Sequence, residues 1–156
     1  MSPAIRYARN LSSAGQIAGH LQECDPMFQP PLSSRVDLPA YAAKLGRHAV
    51  RFEAWRGDLL IGLVAAYCDG QDGKPGFISN VSVLPAWVGQ GIASRLLADC
   101  LAYAAGAGLA RLELEVGRDN HAALALYRKH GFHPRQQAGD SILMSRHPGN
   151  GAHNEQ

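Results

Sequence analysis

Val81-Ser-Val-Leu-Pro-Ala-Trp-Val-Gly-Gln-Gly-Ile-Ala93 reads as the end of a β-strand, a short loop and a glycine-flanked entry into a helix. Pro85 stops the strand and Gly89 and Gly91 free the backbone. Ile92, Leu96, Leu97, Leu101 and Ala104 then recur along one helical face until Gly106 and Gly108 end it. A helix start leaves amides unpaired and carries partial positive charge, so an anion placed there meets several donors at once. The stretch therefore predicts a phosphate-binding turn.

Outward from this turn the order of elements becomes legible. Residues 111–116 alternate as a strand, so strand, helix and strand form a parallel crossover. Asp119 or Asn120 can cap the next helix, which runs to His130, keeps Arg128 and Lys129 at its negative end and is closed by Gly131. Residues 132–134 and 141–144 supply the last strands. Upstream, residues 50–55, 59–67 and 77–83 read as an antiparallel meander whose first turn is Arg56-Gly-Asp58. Ser13 and Gln16 form a capping box for a first helix through Ile17, Leu21 and Cys24, and Asp37 caps a second one through Tyr41 and Leu45 to Gly46. The proline-bearing loop 27–36 between them is the least generic part of the chain. The expected fold class is α/β with a mixed sheet.

The 156 residues suit one domain, expected over 1–147, with 148–156 as a frayed polar tail. Hydrophobic residues make up 46% and charged ones 18%, and no apolar run reaches the roughly 20 residues of a membrane span, so a soluble protein without a membrane partner is expected. The N-terminus lacks the basic and apolar pattern of a secretory signal, which predicts a cytoplasmic location. Cys24, Cys68 and Cys100 lack metal spacing and read as reduced packing residues, with a catalytic thiol as the alternative. Net charge +2 gives no reason to expect nucleic acid, and seven scattered histidines give none to expect a metal.

Two other glycine motifs compete for the turn. A P-loop needs Lys-Ser or Lys-Thr after its last glycine, and Gly91 is followed by Ile92 and Ala93. Gly89-Gln-Gly-Ile-Ala-Ser94 approximates a dinucleotide fingerprint, with Glu115 near the place of a ribose-binding acid. Ser94 replaces its third glycine, and too little chain follows for a doubly wound sheet.

Val83-Leu-Pro85, then Val88-Gly-Gln-Gly-Ile-Ala93, then Asn120, Ala123, Leu126-Tyr127 and Gly131-Phe132 together resemble the GCN5-related N-acetyltransferase (GNAT) family. The resemblance covers residues 77–132, and it departs from the family at Val88, where Gln or Arg is usual. It implies a fold with an N-terminal antiparallel meander and splayed central parallel strands, with acetyl-CoA as cofactor. By that resemblance the pyrophosphate would rest on Val88, Gly89, Gln90, Gly91, Ile92, Ala93 and Ser94, helped by Arg95. The pantetheine arm would run along Val81, Val83 and the strand 111–116, as a surrogate strand, and meet Asn120.

Acetyl transfer to an amine needs a free nucleophile, oxyanion stabilisation and a proton for the leaving thiolate. The resemblance offers the N–H of Val83 for the oxyanion and Tyr127 as general acid; Tyr127 could instead be a core aromatic. Glu115 matches the base of the ribosomal-protein alanine acetyltransferase branch, although strand alternation puts it on one face with Glu113, where either can simply be solvated. Ser79 and Asn80 precede the splay point and could orient the amine. Phe28 and Arg35 in the loop 27–36 are the candidate acceptor contacts, with Trp55 and Tyr67 as walls; Arg35 would suit a carboxylate or phosphate of the acceptor. The expected activity is acetylation of a small-metabolite amine, of the amino-sugar or amino-acid class. Acetylation of a protein N-terminus and a non-catalytic acyl-CoA-binding domain are the alternatives. Exposed strand edges and the family's habit allow a homodimer.

Overall fold

The computed structural model describes residues 4–69 and 74–148. The strands are β1 (Arg6–Arg9), β2 (Val50–Arg56), β3 (Leu59–Tyr67), β4 (Gly76–Val83), β5 (Leu112–Gly117), β6 (His133–Ala138) and β7 (Ser141–Arg146). The helices are α1 (Ala14–Cys24), α2 (Leu38–His48), α3 (Ile92–Gly106) and α4 (His121–Lys129). The strands form a seven-stranded mixed sheet in the order β1-β2-β3-β4-β5-β7-β6. The chain divides into two compact units, Met1–Ala65 with Asn80–Leu96 and Ala66–Ser79 with Leu97–Gln156. The expected tail from 149 onward lies outside the described residues.

In the first unit, Ser13 accepts from Gln16 N while Gln16 Oε1 accepts from Ser13 N, the capping box expected for α1. Asp37 accepts from Ala40 N and starts α2. That helix does not stop at Gly46 but continues to His48. Arg51 Nη1, a few residues on, donates to the carbonyls of Leu45, Gly46 and Ala49 and so satisfies the helix end that a glycine cap would otherwise serve. Strand β1, which the sequence pattern does not announce, pairs antiparallel with β2 from Arg6–Trp55 to Arg9–Phe52.

A buried polar cluster ties these pieces together. Glu53, 0% exposed, accepts from Leu11 N, from the N–H and hydroxyl of Ser12 and from the Trp55 indole N–H, and pairs with Arg51 Nε at 3.4 Å. Its two oxygens thus hold the β1–α1 connection, while the Arg51 guanidinium holds the end of α2. A charge so deep in the core survives only because every lone pair is occupied.

In the second unit, α4 is capped by Asn120, whose Oδ1 accepts from Ala123 N. It ends at Gly131, whose φ of +87° only glycine adopts easily. Strand β5 alternates buried and outward residues, which places Leu112, Leu114 and Val116 in the core and Glu113 and Glu115 on the other face. It pairs antiparallel with β7 along its whole length and parallel with β4 at Gly76–Leu112 and Phe77–Glu113. Among the described residues that parallel register goes no further. Strand β6 runs to Ala138, longer than the 132–134 expected, because it pairs with β7 as an exposed edge.

Candidate active site

The glycine turn lies wholly in the first unit. After β4, Leu84 N bonds Ile61 O at 2.8 Å, residues 85–87 make one 3₁₀ turn, and Gly89 and Gly91 adopt φ of +81° and +79°. Arg95 N donates to Gly91 O, so α3 begins at Ile92 and its first amides have no carbonyl one turn back. A Cβ added at either glycine would meet nothing within 4 Å. Gln90 and Val88 are exposed, Ala93 and Ser94 half-buried, and Ile92 is buried as the anchor of the turn. The outcome is an exposed glycine turn at a helix start with no side chain over the glycines, which fits an approaching phosphate.

Two cation–π contacts hold this turn. The Arg56 guanidinium stacks over Trp87 at 4.9 Å, and that of Arg95 over Tyr7 at 4.1 Å. Arg95 is therefore positioned by an aromatic partner, Tyr7, that no local pattern announces.

On β4, alternation separates the candidates. Val81 and Val83 are half-buried and share a face; Asn80 and Ser82 are buried on the other. Asn80 Oδ1 is 2.7 Å from Ser82 Oγ, which is 2.9 Å from His20 Nε2, and His20 Nδ1 donates to Leu60 O at 2.9 Å. Burial holds the His20 imidazole below its ordinary pKa, against the hydrogen bonds to Leu60 and Ser82. Asn80 thus belongs to a buried chain that no sequence motif signalled. Ser79, half-buried, points opposite to Asn80 and belongs to the second unit.

Also in the second unit, Tyr127 is 8% exposed and packs edge-on against Phe132, with centroids 6.1 Å apart. Burial raises its phenol from the ordinary value of 10 to about 12, so the folded chain holds this proton more tightly than a free tyrosine does. Glu115 is exposed, whereas Glu113 is held by Arg111 at 2.9 Å and Arg135 at 3.4 Å. Of the two glutamates on this face, Glu115 is the one not committed to an ion pair.

In the loop between α1 and α2, Ser33 gives its N–H and hydroxyl to Asp25 at 2.8 and 2.6 Å, which lowers the carboxyl pKa and folds the loop on itself. Phe28 is half-buried and Arg35 exposed in this loop. Trp55 is 3% exposed and turned to Glu53.

The thiols carry no reactive signature. Burial pushes Cys24 up to about 12 and Cys68 to about 11, and raises Cys100 further. Among the described residues no group of His, Cys, Asp and Glu could hold a metal ion, and no helix is long and apolar enough to cross a membrane.

The family model described as acetyltransferase (GNAT) family matches residues 16–132, reaching into both units. The N-alpha-acetyltransferase RimI of Mycobacterium tuberculosis is 47% identical over 55 residues, which is 35% of this chain and 33% of that protein. The chain thus spans a third of that relative. The ribosomal-protein-S18-alanine N-acetyltransferase of Escherichia coli superposes with a TM-score of 0.74 at 21% identity, covering 94% of this chain and 95% of that one. The PaiA N-acetyltransferase of Thermoplasma acidophilum, crystallised with coenzyme A, gives 0.75 at 14% identity over 92% and 99%. At such identities the structures speak for the fold, and the family model, which covers most of the sequence, for its kinship. The chain belongs to the acetyltransferase (GNAT) family.

Proposed function

We propose that residues 1–147 act as one catalytic domain that transfers an acetyl group from acetyl-CoA to a primary amine by direct attack. The observation that carries this reading is the turn before α3: two glycines at positive φ, open space where their side chains would stand, and a helix that starts directly after them. The amides of Gly89, Gln90, Gly91, Ile92 and Ala93 would hold the pyrophosphate, so the unusual Val88 costs a side-chain contact and not the cradle. Val81 and Val83 would offer backbone groups to the pantetheine, and Asn120, whose Oδ1 is spent on its cap, would offer its amide N–H. When bound, acetyl-CoA supplies an activated thioester.

The chain's own groups then have separable tasks. The N–H of Val83 stabilises negative charge on the carbonyl oxygen. Tyr127, kept neutral by burial, delivers a proton to the departing sulfur. Glu115, exposed and outside the Glu113 ion pairs, takes a proton from the amine.

A small-metabolite amine is the first reading of the acceptor, with Phe28 and Arg35 of the α1–α2 loop and Ser79 of β4 as its contacts, while Asn80, on the opposite face of β4, is taken up by Ser82. The second reading is a protein N-terminus, favoured by the partial match to an N-alpha-acetyltransferase.

Calorimetric titration with acetyl-CoA, CoA and NAD tests the donor, and binding of NAD alone would overturn the reading. An amine screen that detects thiol release, with amino sugars, amino acids, polyamines and short peptides as acceptors, then decides between the two acceptor classes. Binding without turnover on any of them would leave an acyl-CoA-binding domain.

A further inference from the structure

A cavity of about 910 Å³ opens within the second unit, walled on one side by Ala98 and Leu101 of α3 and on the others by Arg111 just before β5, by β6 and β7 and by the end of α4. Its charge is one-sided. Arg111, Lys129, Arg135 and Arg146 line it, and no Asp or Glu does. Glu113 compensates part of it, since its Oε2 meets both Arg111 and Arg135. One carboxylate against four cations leaves three positive charges in excess.

One of those cations is set in place without a carboxylate. Arg146 Nε donates to the His130 carbonyl at 2.6 Å, and its Nη1 donates to the His147 carbonyl. Gly131 makes room for this arrangement, since a Cβ there would lie 2.6 Å from Arg146 Nε. The guanidinium is therefore oriented before any ligand arrives, which lowers the entropy cost of using it. Lys129 stands in the last turn of α4 and, among the described residues, pairs with no acid. The excess charge is felt locally: burial, then Lys129 and Arg146, hold the His130 imidazole below its ordinary pKa.

The lining shares no residue with the glycine turn and contains no Phe, Tyr or Trp, so nothing in it would stack a nucleobase. Its volume falls within the range of small-molecule pockets, about 300–1,000 Å³. We propose that this cavity is a second anion site, which takes a compact small molecule carrying two or more phosphate groups, held by Arg146 and Lys129 with Arg111 and Arg135 at its rim.

The test is calorimetric titration of tripolyphosphate into the full chain, with and without saturating CoA. One-site binding that persists beside CoA is expected, weakened about tenfold or more in Lys129→Gln and in Arg146→Gln and restored in Lys129→Arg, because these contacts are charge-assisted. Lys129 is exposed, so its variants leave the fold intact even where Arg146→Gln does not. Unchanged affinity in Lys129→Gln would overturn the proposal, as would binding that CoA abolishes, which belongs to the turn before α3. Tighter binding of a short single-stranded oligonucleotide than of tripolyphosphate would also overturn it, in favour of a phosphodiester backbone. Should the chain bind no CoA at all, the Lys129 variants still decide this site, and the failure falls on the acetyl-CoA reading alone.

Discussion

Gly62 of β3 and Ile92 of α3 lie so close that a Cβ on Gly62 would sit 2.6 Å from Ile92 Cγ2, with Leu96 Cδ1 3.3 Å away. The first turn of α3 thus rests directly on the strand, and the glycines before Ile92 take their position from that packing. In Gly62→Ala the helix start must shift. The expected result is a stability loss of about 1–3 kcal/mol, the usual cost of overpacking, together with weaker acetyl-CoA binding. Thermal unfolding and calorimetry measure the two. A folded variant with unaltered affinity would mean that the turn is set elsewhere.

Gly91→Asp should weaken acetyl-CoA binding on two counts. It forces a side chain into φ of +79°, and it adds an anion where phosphate is expected. Gly91→Ala carries the backbone strain without the charge. An affinity ordered wild type, Ala, Asp is the expected outcome, and equal affinities in all three would remove the phosphate cradle from the mechanism.

Tyr127→Phe should keep acetyl-CoA affinity and stability while turnover drops about 100-fold, the scale of one acid–base contribution. The raised phenol also has a linkage consequence. The unfolded chain releases this proton near its ordinary pKa of 10 and the folded one only at about 12. Stability therefore falls as pH rises through that window, and less so in the Phe variant. Unfolding curves between pH 9 and 11, with turnover measured alongside, check both; unchanged turnover would make Tyr127 a core aromatic only.

Glu53→Ala should destabilise the first unit by about 3–5 kcal/mol, because it leaves the Arg51 guanidinium buried without its counter-charge and frees the amides of Leu11 and Ser12. Denaturant unfolding gives the number. A loss below about 1 kcal/mol would show that the cluster is hydrated in solution.

His20 and His130 both have pKa values below the ordinary histidine range, His20 by burial and His130 by burial together with Lys129 and Arg146. Below that ordinary range the unfolded chain takes up protons that the folded chain refuses, so stability is held above about pH 6.5 and lost as pH falls. The melting temperature should decline between pH 7.5 and 5, and decline less in His20→Gln. An identical pH slope in that variant would exclude His20 as a source.

What the sequence determined by itself is what depends on neighbours a few residues apart. The capping boxes and caps at Ser13, Asp37 and Asn120, the positive φ of Gly89, Gly91 and Gly131 and the alternation of β5 all obey local stereochemistry, and all are present. Because the glycine turn is such a local object, the family could be read from it and from the Asn120–Phe132 motif. The tertiary structure alone decided the fate of polar residues set in apolar strands. Glu53 looks like any outward strand residue until Ser12, 41 positions earlier, is brought to it, and Ser82 meets His20 across 62 positions. The same holds for the short strand β1, which exists only beside β2, and for the cations that gather around Gly131. Such pairings are set by which segments the chain's folding brings together, and a side chain carries no local mark of the partner it will meet.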